Sequence, residues 1–395
     1  VAKSAACLDV LYKAMVPQLD TANMQRRRIP SLDGLRAVSI VLVVGVHSLQ
    51  RYSIGHTVSL VYYVLLNGAL GVQIFFVISG FLITNLLLQE RRKTGTISLS
   101  EFYIRRVFRI LPPLYTYIAV IGLIGLWGGF ELNRSDFISG IFFFHNLSRS
   151  TSMWSLQHLW SISVEEQFYL VWPFVLCAFL KGDSEKDRMM ASVFPIAVLL
   201  VSPPLRTILG LQRSHPLLRD FGFRINYDFI MFGCLIALLQ GTERFEEFYR
   251  RATQIWWLPL LTVFGLGAIS MRFQHYFDLP IGYTLTGAAV ALSVLWCTRN
   301  ADHRVGKILN WRPIVWVGVL SYSIYLWQTL FLHHLNYEAF GRYSWIGAFP
   351  VNWIAIMLAA TFSYYAIEQA ALRLRVKLLD ALRAYKAARV RPVTQ

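Results

Sequence analysis

One apolar run of the chain carries an arginine and a histidine. In GLRAVSIVLVVGVHSLQR, residues 34–51, Arg36 and His47 are eleven positions apart. On a helix that is about 20° in direction and roughly 16 Å in rise, so both face the same way. Asp33 has the chemistry of an N-cap and would start the helix at Gly34. An ionisable side chain within a membrane span is costly against lipid and marks a polar seam or a functional site. Two readings stand side by side. Arg36 snorkels to the inner surface while His47 hydrogen-bonds a neighbouring helix, or the imidazole accepts a proton deep in the bundle while the guanidinium holds a phosphate near the surface.

The second costly cluster is QHLWSISVEEQFYLVWP, residues 157–173, where Glu165 and Glu166 enter an apolar run together. Ser161, Glu165 and Tyr169 are four apart and share a face, with His158 seven before Glu165 completing it. Either the acids neutralise an arginine of another span, or Glu165 fixes one nitrogen of His47 so that the other works as a base. Arg105, Arg106 and Arg109 follow Ser98 at helical spacing. Arg106 and Arg109 share a face that suits a polyphosphate or an anionic lipid. In GVLSYSIYLWQ, residues 318–328, Gly318 and Ser321 allow close helix approach, while Ser321, Tyr322, Tyr325 and Gln328 form a polar stripe.

These residues need helices to hold them. The 395 residues are 55% hydrophobic and 15% charged, the profile of an all-α polytopic membrane protein. Apolar runs long enough to cross a bilayer fall at about 34–51, 67–89, 113–129, 160–180, 190–210, 226–241, 255–272, 281–298, 314–335 and 348–368, about ten transmembrane helices. The basic residues concentrate in alternate loops and the C-terminal tail, which places both termini in the cytoplasm of a multi-pass cell (inner) membrane protein. The formal charge of +16 therefore reports topology and not nucleic acid. SLSEFYIRRVFRILPP, residues 98–113, reads as an amphipathic helix on the inner surface, capped by Ser100 and ended by two prolines. FISGIFFFHNL, residues 137–147, is too short to cross and reads as a re-entrant or interfacial segment on the outer side, or as part of a capped cavity, the re-entrant reading being preferred. Residues 1–30 form a polar, basic extension without a signal-peptide pattern, 31–370 one membrane domain and 371–395 a basic tail. Cys7, Cys177, Cys234 and Cys297 are scattered, without disulfide or metal spacing.

Taken together the motifs resemble the acyltransferase 3 family, over about residues 28–370. The resemblance is carried by RIPSLDGLRAVSIVLVVGVH with its Arg36-x10-His47 spacing, by GVQIFFVISGFLI at 71–83, by FYIRRVFRILPP with Arg106-x2-Arg109, and by HLWSISVEEQFYLVWP at 158–173. It implies a ten-span bundle, an acyl-CoA donor reached from the cytoplasm and an acceptor hydroxyl presented from outside. It implies His47 as the essential histidine, Arg36 as its motif partner, Arg106 and Arg109 as donor-binding residues, Glu165 as the span carboxylate, and Gly318 with Ser321 as the small-residue motif. Two positions depart from the pattern: Gln73 stands where an acid is common, and Gln328 where YLWH often has histidine. Many relatives carry a further esterase-like domain, so a chain ending in a short basic tail is expected to finish transfer within the membrane domain or through another protein.

The resulting expectation is an O-acyltransferase that moves an acyl group, acetyl by family base rate, from cytoplasmic acyl-CoA to a hydroxyl of a glycan or related acceptor. The nucleotide phosphates lie on Arg106, Arg109 and Arg36, and the pantetheine arm follows a polar passage to His47. His47, oriented by Glu165, is the general base, with Ser161 or Tyr322 stabilising the oxyanion. His158, Tyr169, Ser321, Gln73 and Gln328 are assigned to the substrate, no metal is expected, and membrane lipid and glycan-assembly proteins are the expected partners. Direct transfer and transfer through an acyl-histidine stay open. The rival reading is a transporter or flippase using the same charges as a binding site, which predicts paired broken helices.

Overall fold

The computed structural model describes residues 29–50, 68–128, 131–148, 153–182, 184–211, 227–273, 275–332 and 341–390. Among these residues the protein is mostly helical, with no strand. Seven helices are long and apolar enough to cross a membrane, and Tyr227–Leu239 and Leu260–Ser270 are shorter apolar helices. These are counts among the described residues: they fit an all-α polytopic membrane protein and do not fix the number of spans, for which the sequence leads one to expect about ten.

Helix α1 is Leu32–Gln50, α2 is Gly68–Thr94 and α3 is Leu99–Leu126. A short helix α4, Arg134–Ile141, leads through a 3-10 turn, His145–Leu147, to α5, Leu159–Phe179. Helix α6 is Glu185–Gly210, α7 is Tyr227–Leu239, α8 is Glu243–Ala252 and α9 is Leu258–Phe273. Helices α10, Tyr283–Arg299, and α11, Arg304–Leu309, precede α12, Arg312–Leu332. Helix α13, Val351–Phe362, passes through a π-helical turn, Ser363–Glu368, into α14, Gln369–Val390.

Close contacts set the centre. A Cβ on Gly80 would lie 2.0 Å from the carbonyl oxygen of Ile230, and one on Gly233 would lie 2.1 Å from that of Val77. Only glycine at both positions lets α2 and α7 cross this tightly. On the other side of α1, a Cβ on Gly318 would sit 1.8 Å from the Asp33 carbonyl oxygen. Backbone contact between α12 and the first turn of α1 therefore positions Arg36, one turn further on. Around these crossings Phe76, Ile83, Phe168, Trp172 and Phe229 form one buried apolar cluster, and Ile40, Leu114, Ile121, Leu320 and Leu326 belong to a second.

Three expectations are corrected. The segment 98–113 is not a separate surface helix: it is the first half of α3, which runs through Pro112 and Pro113. The prolines remove the amides that the Phe108 and Arg109 carbonyls would accept from. The helix is held nonetheless by buried Ile110, Leu114, Tyr117, Ile118 and Ile121 at helical spacing. The Tyr322 hydroxyl also donates to the Ile110 carbonyl at 3.0 Å. With 28 residues α3 is about 42 Å long, so its basic first turns project beyond a hydrocarbon core of roughly 30 Å. It starts at Leu99, before the Ser100 expected to cap it, and α1 starts at Leu32, which puts Asp33 within its first turn.

The segment 137–147 forms parts of α4 and the 3-10 turn, with His145, Asn146 and Ser139 buried. Eight residues of helix, about 12 Å, do not cross. The amphipathic helix of the structure is α8, where Phe245, Phe248 and Tyr249 share one face and Glu247 pairs with Arg250 and Arg251 on the other. Exposed Trp256 and Trp257 follow it, the composition of an interfacial helix.

Candidate active site

A cavity of about 110 Å³ opens among α1, α2, α3, α5 and α12. Arg36, Arg106 and Arg109 line it, with Glu165 and Glu166 from α5 and the hydroxyls of Ser79, Ser161, Tyr169, Ser321, Tyr322 and Tyr325. Apolar walls come from Phe75, Phe76, Ile83, Ile110 and Ile162. Charged groups of both signs facing a void inside an apolar bundle are the signature of a ligand site, since packing alone is served better by hydrocarbon.

The charges are unequally satisfied. Arg36 Nη1 lies 3.2 Å from Asp33, one turn back. Arg109 Nη1 lies 3.3 Å from Glu368, whose buried carboxylate also accepts a hydrogen bond from Ser323. Arg105 points elsewhere, to Glu90 at 2.6 Å and Glu101 at 3.4 Å. Arg106 rests 4.9 Å over the Tyr169 ring and 5.6 Å over Phe102, a cation–π cradle, and makes no ion pair or hydrogen bond among the described residues. Glu166 likewise has no hydrogen bond there. A guanidinium and a carboxylate thus face the cavity with bonding capacity left over. Glu165 is occupied, accepting from the hydroxyls of Ser79 and Tyr169.

His47 stands beyond this cavity, at the other end of the polar seam. Its Nδ1 is 3.2 Å from Gln328 Oε1. An amide oxygen only accepts, so Nδ1 carries the proton and Nε2 keeps its lone pair. Gln328, and not Glu165, is the side chain hydrogen-bonded to the imidazole. The helical period explains the correction. Glu165 is seven residues past His158, about 10 Å along α5, and His158 is the residue within electrostatic range of His47.

His158 is 5% exposed and its Nδ1 is 3.2 Å from the Thr329 hydroxyl. Its carbonyl accepts from Tyr325 at 2.9 Å, and the Tyr325 hydroxyl is 2.6 Å from Ser161. The cavity lining includes this Ser161–Tyr325 pair but neither His158 nor His47. Among the described residues, the expected unbroken passage from the arginines to His47 is therefore not seen, and the bonded hydroxyls of Ser161 and Tyr325 with the His158 backbone stand at that side of the cavity.

Of the residues singled out in the sequence, Arg36, Arg106, Arg109, Ser161, Glu165, Tyr169, Ser321 and Tyr322 share the cavity lining. His47, Gln328 and His158 lie beyond it, and Gln73 is buried on α2 outside the lining. Tyr322 gives its hydroxyl to the Ile110 carbonyl, which engages the proton expected for an oxyanion. The missed residues are Ser79 and Glu368, while Glu166 and Tyr325, noted in the sequence without a role of their own, also line the cavity. Glu368 had a signal, a lone acid at the end of an apolar run. Ser79 had none, since a serine between apolar residues reads as packing. Among the described residues no His, Cys, Asp or Glu group has metal-binding geometry.

The match to known sequences agrees with this chemistry. The family model described as an acyltransferase domain, acyltransferase 3, covers residues 29–368. The chain belongs to this acyltransferase family. Curated relatives include peptidoglycan O-acetyltransferase OatA of Listeria monocytogenes, 30% identical over 326 residues, which are 78% of this chain and 50% of that protein. O-acetyltransferase OatA of Staphylococcus aureus is 26% identical over 375 residues, 89% of this chain and 59% of that protein. The chain thus spans between a half and three-fifths of the length of these two relatives. No solved structure matches it.

Proposed function

We propose that the protein is a membrane-bound O-acetyltransferase that takes the acetyl group from acyl-CoA on the cytoplasmic side and esterifies a hydroxyl of a glycan. The observation that carries this reading is the cavity where Arg106 and Glu166 keep unused bonding capacity beside Arg36 and Arg109. A void of 110 Å³ is several times the roughly 10–15 Å³ that admits a single water, room for a thioester head with the nucleotide outside. The positive charges at its mouth suit phosphates. The distribution of basic residues along the sequence supports cytoplasmic termini, and with them a donor reached from that side. The acceptor is read as a glycan because the Listeria monocytogenes relative is named for peptidoglycan.

In this mechanism the layer of Ser161, Tyr325 and His158 separates donor from acceptor until both are bound, which excludes water from the thioester. Movement of the Tyr325 hydroxyl opens the cavity toward His47. His47 Nε2 takes the proton of the acceptor hydroxyl as its oxygen attacks the thioester carbon. The C–O bond forms, the C–S bond breaks, and the thiolate leaves with the proton from the imidazolium as free CoA thiol. Gln328 holds His47 in the tautomer this requires.

The test is mass spectrometry of cell glycans from cells lacking the gene, complemented with the wild type or with His47→Ala. The reading expects alkali-labile acetyl esters with the wild type alone. Identical glycans in all three refute it.

A further inference from the structure

The chain continues past residue 368, where the family match ends, as α14, and this helix meets α3 at two anchor points. Glu368, just before it, lies 3.3 Å from Arg109, and Arg383 lies 2.7 Å from Glu101. Since Glu101 precedes Arg109 while Arg383 follows Glu368, the two helices run antiparallel. Arg375 lies between the anchors. It is seven residues after Glu368, two turns on and within about 20° of the same direction, so it faces the stretch of α3 holding Arg105 and Arg106. It is half-buried and within electrostatic range of Arg105, Arg106 and Arg109.

The neighbouring charges are accounted for on every side but one. Arg105 is matched by Glu90 and Glu101, and Arg109 by Glu368. Glu165 and Glu166 face Arg106 from the cavity. Among the described residues Arg375 makes no hydrogen bond or ion pair. Packing a half-buried guanidinium against other guanidinium groups is unfavourable unless an anion joins them. Such an anion would lie at the mouth of the cavity.

We propose that Arg375 is a donor-binding residue: together with Arg106 it clasps a phosphate of the nucleotide tail of acyl-CoA, and α14 forms the outer wall of the donor site. This inference rests on the reading of acyl-CoA as donor. It gives a defined task to a helix outside the family match, and it makes the Arg383–Glu101 pair the clasp that holds the wall in place.

The experiment is CoA binding by calorimetry to the full chain in nanodiscs of phosphatidylcholine, alone and with phosphatidylglycerol. Arg375→Ala is expected to weaken CoA binding about tenfold in both lipids, with Arg375→Lys retaining part of it. Lys377→Ala, exposed and about 200° away on the helix, is expected to bind as the wild type does. In acetyl transfer Arg375→Ala is expected to raise the KM for acetyl-CoA and leave the acceptor KM unchanged. Wild-type CoA affinity in Arg375→Ala, with thermal stability preserved, overturns this inference and leaves the proposed function standing. A difference seen only with phosphatidylglycerol overturns it in favour of a lipid headgroup. Absence of CoA binding by the wild type overturns both.

Discussion

Replacing Gln328 by leucine removes the hydrogen-bond partner that His47 has among the described residues and leaves the packing volume nearly unchanged. The side chain of Gln328 is fully buried, so the imidazole N–H would face hydrocarbon in the variant. An unpaired buried donor costs about 1–3 kcal/mol, and the ring regains the freedom to put its proton on Nε2, where it is useless as a base. At roughly 1.4 kcal/mol per tenfold, kcat is expected to fall by about 10- to 100-fold. The KM for acetyl-CoA should hardly move, since Arg106 and Arg109 are untouched. Gln328→Glu keeps an acceptor oxygen at the same place and is expected to stay within several-fold of the wild type. The assay is steady-state release of CoA thiol by the purified full chain at saturating acceptor. Wild-type kcat in Gln328→Leu would refute the claim that this amide sets the tautomer.

Further outcomes follow from contacts away from the reacting atoms. Gly318→Ala places a methyl 1.8 Å from the Asp33 carbonyl and should cost about 1–3 kcal/mol, seen as a lower Tm, with weakened donor binding because Arg36 moves with α1. Arg206 and Asp228 are fully buried and 2.8 Å apart. Arg206→Leu is expected to destabilise by about 3–5 kcal/mol in denaturant melts, and adding Asp228→Leu should recover much of the loss. The hydrogen bonds from Arg299 hold the Glu246 carboxyl below its ordinary range. A depressed carboxylate contributes stability above its unfolded pKa and loses it as pH falls through the folded value. Wild type should therefore exceed Glu246→Gln in Tm at neutral pH and converge with it in acid.

Much of the site was legible because charges in apolar runs are rare. Arg36, Arg106, Arg109 and Glu165 stood out for that reason, and all four line one cavity. What periodicity cannot supply is which neighbour a given face meets. The imidazole of His47 therefore pairs with Gln328 on α12, 281 residues away, and not with the carboxylate that its chemistry seemed to need. The prolines of α3 misled in the same way, since a local break signal was overridden by packing of the residues around it. The amphipathic α8 was hidden between two spans, where its charges read as a loop. The hydroxyl layer of Ser161 and Tyr325 depends on two helices meeting, and no pattern within either one foretells it.

The most direct test of the account is single-turnover transfer from labelled acetyl-CoA by the purified full chain, with an oligosaccharide acceptor. The expected result is label appearing on the acceptor at the rate that free CoA thiol appears, with His47→Ala still binding CoA but transferring nothing. Label transfer by His47→Ala at the wild-type rate, or an intact thioester after incubation with active wild-type protein and acceptor, would contradict it.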